Sequence, residues 1–163
     1  MPCALIGAVA LAVRGVPRAT ADADLLVRNR EVLEPNFWEP LRQVAPEQAI
    51  AIGDGDDPFD GVVRLANGTD EAVDIVVPRS GWIDAVLARA TVESVGEIAM
   101  PVVISSDLVL LKVFAGGHRD QADIYQLLEG DEKEQLVASV DDRICELDEP
   151  SQALWSRIKA SLP

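Results

Sequence analysis

Asp22 and Asp24 are the residues of this sequence best suited to chemistry, because they stand two apart where an apolar run begins. Side chains two apart on a β-strand point to the same face, so both carboxylates would project together. Carboxylates held this close repel each other unless a cation lies between them, and Mg²⁺ or Mn²⁺ fits such oxygen ligands. Asp74 interrupts the apolar run Val73–Val77 and is the candidate third carboxylate of such a site. The sequence therefore predicts a Mg²⁺ or Mn²⁺ site suited to phosphate chemistry, with Asp22, Asp24 and Asp74 as the metal ligands.

Two simpler interpretations stay open at this point. Asp22 and Asp24 could be carboxylates at a strand end that form ion pairs with Arg14 or Arg18. Asp74 could face water from a hairpin, since its alternation with apolar neighbours permits an exposed position.

The elements around these aspartates are predicted from apolar runs and turn residues. Residues 3–13 are apolar and small, which favours a buried strand running into a helix over Ala8–Val13 that Arg14 and Gly15 end. A strand is predicted over Ala21–Arg28. Two further strands, Val62–Ala66 and Glu71–Val77, flank Asn67-Gly68, a strong hairpin signal.

The rest of the chain alternates breakers with short helices and one more strand. The predicted elements are a broken helix over 30–45, a solvated acidic turn over Asp54–Asp60, a helix over Trp82–Ala90, a strand over Met100–Ser105, a helix over Ser106–Phe114 capped by Ser106 and ended by Gly116-Gly117, and helices over Arg119–Leu128, Glu132–Leu147 and Gln152–Leu162. This order indicates an α+β fold: a small mixed β-sheet flanked by helices, with a C-terminal helical segment. We expect a single domain over 1–163, with the sheet core in 1–105 and the helical segment in 106–163.

Composition excludes several function classes. The 163 residues include 28 acidic and 14 basic side chains, a net charge of −14, which argues against a broad nucleic-acid surface. No apolar stretch reaches the ~18 residues of a membrane span. Cys3 and Cys145 match no zinc signature and are expected to be reduced thiols. Because arginines follow the N-terminal apolar run and none precedes it, a signal peptide is not indicated and a cytoplasmic location is expected.

Two segments together carry a family resemblance. LIGAVALAVRGVPRATADADLLV (residues 5–27) has a Gly-Ala pair where a helix begins, then Arg18-x-Thr20, then the Asp-x-Asp; LVLLKVFAGGHRDQADIYQLL (residues 108–128) has Leu-Lys followed by Arg-Asp-x-x-Asp. They resemble the nucleotidyltransferase superfamily that includes DNA polymerase β, and within it the bacterial minimal and abortive-infection (AbiEii-like) branch. The chain departs from the pattern at Ala8, where the family has a second glycine or a serine.

The resemblance implies a role for each matching residue. Asp22 and Asp24 would bind the metals that bridge a nucleoside triphosphate, and Asp74 would complete the second metal site or help activate the attacking hydroxyl. The other implied nucleotide-binding residues are Gly7, Ala8, Arg18, Thr20, Lys112, Arg119 and Asp123, with Gly7 letting the backbone approach phosphate, Lys112 contacting phosphate, and Arg119, Asp120 and Asp123 shaping the pocket.

The function this predicts is metal-dependent transfer of a nucleotide from an NTP to a protein or RNA acceptor, with pyrophosphate leaving. The resemblance also implies a toxin–antitoxin or phage-defence setting, with an antitoxin partner or a second copy of the chain. The alternative is a catalytically inactive binding or antitoxin-like module, which Ala8 favours. A metal-dependent phosphohydrolase is a third hypothesis, distinguishable by its products.

Overall fold

A computed structural model of the chain describes residues 1–54 and 57–162. Residues 1–10 and 18–103 form one compact unit, here the sheet unit, and residues 11–17 and 104 onward form a second, the helical unit. The single domain over 1–163, with a sheet core in 1–105 and a helical segment in 106–163, stays a prediction. The predicted solvated turn over Asp54–Asp60 falls partly outside the described residues.

The described part of the sheet unit contains a mixed sheet of seven strands in the order β3-β4-β5-β2-β1-β7-β6. Strands β2 and β5 run parallel, as do β1 and β7, and the other neighbours are antiparallel. The predicted α+β class with a mixed sheet and flanking helices is therefore confirmed. The strands are β1 (Cys3–Ile6), β2 (Ala23–Val27), β3 (Glu47–Ile52), β4 (Phe59–Ala66), β5 (Ala72–Pro78), β6 (Thr91–Val95) and β7 (Ile98–Val102).

The N-terminal strand and helix form as the apolar run predicts. β1 leads without a loop into α1 (Gly7–Val13), and the chain then turns at Gly15, whose φ of 88° is in the left-handed region that favours glycine. The following segment returns to β2, which pairs antiparallel with β1 so that Asp24 lies opposite Ile6. This short connection brings the Asp-x-Asp back beside the start of α1.

The β4–β5 hairpin has a longer loop than a two-residue turn. Ala66 pairs with Ala72, so residues 67–71 form the connection. Asn67 Oδ1 accepts hydrogen bonds from the backbone N–H of Thr69 (3.1 Å) and from its hydroxyl (2.6 Å), and the Thr69 hydroxyl oxygen accepts from the N–H of Glu71 (3.2 Å). These local bonds substitute for ladder pairing and set the hairpin register.

One face of the sheet carries an apolar core covered by two 3-10 segments. These segments, Arg30–Leu33 and Pro35–Leu41, replace the broken helix predicted over 30–45. Trp38 anchors them by donating its indole N–H to the carbonyl of Val32 at 2.6 Å. The buried residues of this core are Val27, Val32, Leu33, Trp38, Val63, Leu65, Ile75 and Val77. The core thus fixes one face of β2, β4 and β5 and leaves their polar residues on the other face.

The helices correspond closely to the predicted ones in number and order. They are α1 (Gly7–Val13), α2 (Ile83–Arg89), α3 (Ser105–Ala115), α4 (His118–Leu127), α5 (Lys133–Asp141) and α6 (Glu149–Ala160), with a 3-10 segment at Ile144–Glu146. Gly116 ends α3 with a φ of 69°, as predicted. The cap predicted at Ser106 is wrong, because Ile104 precedes the first turn and the Ser106 hydroxyl instead accepts a hydrogen bond from Arg143 at 2.7 Å.

Strands β3 and β6 were not predicted from the sequence. Both lie at the edges of the sheet, and most of their residues are exposed or half-buried. Because no residue of either strand is fully buried, the sequence lacks a clear contrast between a buried apolar face and an exposed polar face, and hydropathy does not reveal the strand. Neither strand carries a candidate site residue.

Candidate active site

Asp24 and Asp74 lie side by side in the middle of the sheet. β2 and β5 are parallel neighbours, and Asp24 is the register partner of Asp74. Register partners on adjacent strands project from the same face, with strands about 4.8 Å apart. Asp24 and Asp74 therefore project from the same face of the sheet. Both side chains lie on the face opposite the apolar core, since their neighbours Ile75 and Val63 belong to that core.

Asp22 joins this face from the segment that leads into β2. Its Oδ1 accepts a hydrogen bond from the backbone N–H of Ala72 at 3.1 Å, which ties it to the start of β5. The Thr20 hydroxyl donates to the carbonyl of Asp22 (3.0 Å) and accepts from its N–H (3.2 Å). These bonds hold the backbone of Asp22 in place, so Thr20 is a positioning residue for the carboxylate. Arg18 lies two residues earlier and is half-buried.

Arg64 is the functional residue that sequence reasoning missed. It lies on β4 directly opposite Asp74, and its two terminal nitrogens bind different carboxylates: Nη1 to Asp74 at 2.7 Å and Nη2 to Asp22 at 3.0 Å. The hydrogen bond that Arg64 donates to Asp22 and the negative charge of Asp74 raise the pKa of Arg64 above its ordinary value. The ion-pair interpretation of Asp22 thus has a partner other than the proposed Arg14 or Arg18. We refer to Asp22, Asp24, Asp74 and Arg64 as the acidic cluster.

A signal for Arg64 does exist in the sequence. In the run Val62-Val63-Arg64-Leu65-Ala66 it is the charged residue among apolar neighbours, as Asp74 is in the facing strand. Opposite charges facing each other across two strands of a predicted hairpin stabilise the pair. However, the pairing of Arg64 with Asp74 depends on the register of the hairpin. A two-residue turn at Asn67-Gly68 would place Arg64 opposite Glu71 instead.

Gly7 lies against Asp24. Its φ is 65°, and a Cβ built at this position would overlap the Asp24 carboxylate. The predicted role of Gly7 was to admit phosphate to the backbone. The structure gives the residue an additional and more immediate one, which is to leave room for a carboxylate of the acidic cluster. Ala8 follows in the first turn of α1 and is buried.

The remaining sequence-predicted residues belong to the helical unit. Lys112 is buried on α3, where its Nζ binds Asp123 Oδ2 at 2.6 Å and Asp120 Oδ1 at 3.0 Å on α4. Arg119 is exposed on α4. Lys112 therefore connects two helices through charge-assisted hydrogen bonds.

A cavity of about 420 Å³ opens beside Asp22 at the end of the sheet. It is bordered by Thr20 and Asn67 on its polar side and by Leu41, Val44 and Val73 on its apolar side. Leu41 and Val44 are among the exposed large apolar residues of the chain. The cavity could receive a compound with an apolar body within reach of the acidic cluster.

The donor set of the acidic cluster suits a hard divalent cation, because three carboxylates supply only oxygen ligands. In the described part of the chain, no three His, Cys, Asp or Glu side chains are arranged so that they could hold a metal ion. Asp22 and Asp74 instead bind the guanidinium of Arg64. The carboxylates thus suit a magnesium or manganese ion in the chemistry of their oxygen atoms, while two of them are paired with Arg64.

Comparison with known proteins gives likeness in structure alone. No family model matches the sequence, and no curated protein matches it. Among solved structures, an antigenic nucleotidyltransferase-like protein from Paracoccidioides brasiliensis is 18% identical, with 99% of this chain and 80% of that chain covered and a TM-score of 0.48. The antibiotic-resistance factor ANT(2'')-Ia in solution is 14% identical, with coverages of 98% and 82% and a TM-score of 0.45. Its crystal structure in complex with adenylyl-2''-tobramycin is 16% identical, with coverages of 98% and 87% and a TM-score of 0.41.

The abortive-infection branch stays a prediction. In the part of the chain that the structure describes, no helix combines the length and apolar character needed to cross a bilayer.

Proposed function

We propose that this chain is a metal-dependent nucleotidyltransferase that moves a nucleoside monophosphate from an NTP to a hydroxyl of an acceptor. The observation that supports it is the pairing of Asp24 with Asp74 on adjacent parallel strands, with Asp22 on the same face. Carboxylates are seldom assembled in this way without a cation to neutralise them. The resemblance of the flanking sequence to the nucleotidyltransferase pattern supplies the reaction class.

In this proposal Asp22, Asp24 and Asp74 hold Mg²⁺ or Mn²⁺. The bound ion supplies charge neutralisation for the triphosphate and for the oxygens that enter and leave. The acceptor hydroxyl forms a new bond to the α-phosphorus, the bond from that phosphorus to the bridging oxygen breaks, and pyrophosphate leaves with the electron pair. Asp74, half-buried and in the middle of β5, is the carboxylate we assign to accept the hydroxyl proton. Positioning and electrostatics account for most of the rate in such transfers.

The roles of the other residues follow from their positions. Thr20 and Gly7 position Asp22 and Asp24, and Ala8 and Arg18 remain candidates for nucleotide contact on the basis of the resemblance. For Lys112, Arg119 and Asp123 a nucleotide role is likewise a proposal, and the two short ion pairs of Lys112 support a structural role beside it. We place the acceptor in the cavity beside Asp22, because that cavity is lined by a residue of the acidic cluster.

A second candidate function is the inactive binding or antitoxin-like module. It is favoured by Arg64, which already supplies a cation to Asp22 and Asp74, and by the alanine at position 8. For the transferase, the resemblance implies a protein or RNA acceptor and a toxin–antitoxin or phage-defence setting, and an antitoxin or a second copy of the chain is the proposed partner.

A thermal-shift experiment separates the two candidates. Each NTP is added with and without Mg²⁺ or Mn²⁺ to the wild type, to the Asp22→Ala/Asp24→Ala double variant and to Asp84→Ala. Asp84 is the control, since it is an exposed aspartate paired with Arg28 outside the acidic cluster. A ligand at 100 times its Kd stabilises a protein by about 2.7 kcal/mol, which raises the midpoint measurably.

The transferase proposal predicts a metal-dependent shift that the double variant loses and Asp84→Ala retains, together with pyrophosphate release when an acceptor is supplied. No shift with any NTP and metal would contradict it and favour the binding module. Release of inorganic phosphate in place of pyrophosphate would assign the chain to the phosphohydrolases.

A further inference from the structure

Arg64 is the cation that the acidic cluster contains within the chain itself. Its guanidinium binds Asp74 and Asp22 at the same time, at 2.7 and 3.0 Å, and thereby occupies the space between the two carboxylates. A planar guanidinium presents its donors in a fixed fork, so it can bridge two acceptors in one orientation. A metal ion shared by these carboxylates would need the same oxygens.

We propose that Arg64 competes with the divalent cation for Asp22 and Asp74, so that the metal enters the site together with the triphosphate and not before it. This inference rests on the proposed function. The triphosphate offers the displaced guanidinium a new anionic partner, because phosphate oxygens are acceptors that arginine binds in the same forked manner. Metal binding is thereby coupled to substrate binding.

The exposure of the side chains supports an exchange in which Arg64 leaves the carboxylates and a metal ion replaces it. The Arg64 side chain is 47% exposed, whereas Asp74 and Asp22 are 23% and 34% exposed, so the cation is the most accessible member of the group. The Asp22 carboxylate is also held by the backbone N–H of Ala72, and Asp74 stands on β5, which is paired on both sides by β2 and β4. A long flexible side chain can therefore swing away while the carboxylates stay in place.

Charge balance explains why the metal alone binds weakly. Arg64 gives one positive charge to two carboxylates, and a divalent ion placed beside it meets that charge at close range. Repulsion between a +1 and a +2 charge about 5 Å apart weakens binding at least ~10-fold even with the screening of water. The triphosphate reverses this balance because it carries several negative charges.

The test measures Mn²⁺ binding by electron paramagnetic resonance, which reports free Mn²⁺ and needs no catalysis. Wild type, Arg64→Gln, Arg64→Lys and Arg30→Gln are compared with Mn²⁺ alone and with Mn²⁺ plus a non-hydrolysable ATP analogue. Arg30→Gln is the charge-matched control, because exposed Arg30 pairs with Asp60, which keeps its bond to Arg79. Circular dichroism confirms that each variant is folded.

We expect Arg64→Gln to bind Mn²⁺ alone at least ~10-fold more tightly than wild type and to lose most of the gain that the analogue gives. Arg64→Lys, which keeps the charge but not the fork, should lie between them. Arg30→Gln should behave as wild type.

Equal or weaker Mn²⁺ binding by Arg64→Gln without nucleotide would overturn the inference. If Arg64→Gln fails to fold, the same decision rests on Arg64→Lys, whose Mn²⁺ affinity must then exceed that of wild type. The proposed function is tested separately from this inference. If Arg64→Gln binds Mn²⁺ more tightly but the wild type transfers no nucleotide, the competition between Arg64 and the metal stands and the transferase function is rejected.

Discussion

Replacing Gly7 by alanine tests how closely α1 and the acidic cluster are joined. The structure places the residue at a φ of 65° with the Asp24 carboxylate where a Cβ would stand. The substitution therefore introduces two separate penalties, one in the backbone and one against Asp24. Gly68 offers a control in the same unit, because its φ is 84° and the nearest atom to a new Cβ is Glu47 Oε1 at 3.7 Å.

The two penalties can be estimated separately. A non-glycine residue in the left-handed region loses roughly 1–2 kcal/mol, and this is the whole effect expected for Gly68→Ala. At Gly7 the carboxylate must also move, and forcing an extra methyl into an occupied space loses about 1–3 kcal/mol more. We therefore expect Gly7→Ala to lower the free energy of unfolding by about 2–5 kcal/mol, measured without metal or nucleotide.

Urea unfolding followed by circular dichroism measures these differences, with unchanged slopes required for each comparison. The Asp24→Ala background supplies a double-mutant cycle. Without the carboxylate, Gly7→Ala should lose clearly less stability than it does in the wild type, although the Cβ of residue 24 still lies 3.0 Å from the new methyl group. If Gly7→Ala and Gly68→Ala lower the free energy of unfolding equally when Asp24 is present, the close approach of the Asp24 carboxylate to Gly7 is wrong. Gly7 would then be free to serve phosphate alone, as the sequence predicts.

Two further predictions concern the helical unit. Lys112→Met should lower the free energy of unfolding, measured in urea, by about 3–5 kcal/mol, because buried Asp123 loses the ammonium group that it binds. The double variant Lys112→Met/Asp123→Leu should recover much of this lost stability. An unchanged free energy of unfolding for Lys112→Met would contradict a structural role for the ion pair. Burial raises the pKa of Asp141, but hydrogen bonds from Lys159 and Trp155 outweigh it and lower the pKa below its ordinary value of 3.8. Because the folded-state pKa is the lower one, this stabilisation is full above pH 3.8 and is lost as the pH falls through the folded value. The difference in unfolding free energy between wild type and Asp141→Asn should therefore narrow below that pH, and a constant difference down to pH 2.5 would refute the assignment.

The local elements near the site could be predicted because their signals are local. Apolar residues followed by Gly7 indicate a strand and a helix, and Gly116 ends α3 because glycine adopts the left-handed conformation there. The edge strands β3 and β6 could not be found in this way, since none of their side chains is fully buried and most are exposed. In the candidate site, too, some residues have a local sequence signal and others depend on strand pairing.

Asp22 and Asp24 could be found because two acids beside an apolar run stand out in one segment. Arg64 could not, because its partners come from other strands and its place depends on the hairpin register. Asn67 and Thr69 widen the loop through side-chain hydrogen bonds, and this brings Arg64 opposite Asp74.

The register of one hairpin therefore decides the electrostatics of the acidic cluster. With a two-residue turn, Ala66 would pair with Thr69 and Arg64 would lie opposite Glu71, leaving Asp74 without the guanidinium. With the observed loop, Arg64 binds Asp74 and Asp22 together. A shift of one residue would also turn every side chain of the strand to the other face, so the apolar core under Val63 and Leu65 enforces the position of Arg64. The core packing that stabilises the sheet thus also places the guanidinium of Arg64, and not another cation, against Asp22 and Asp74.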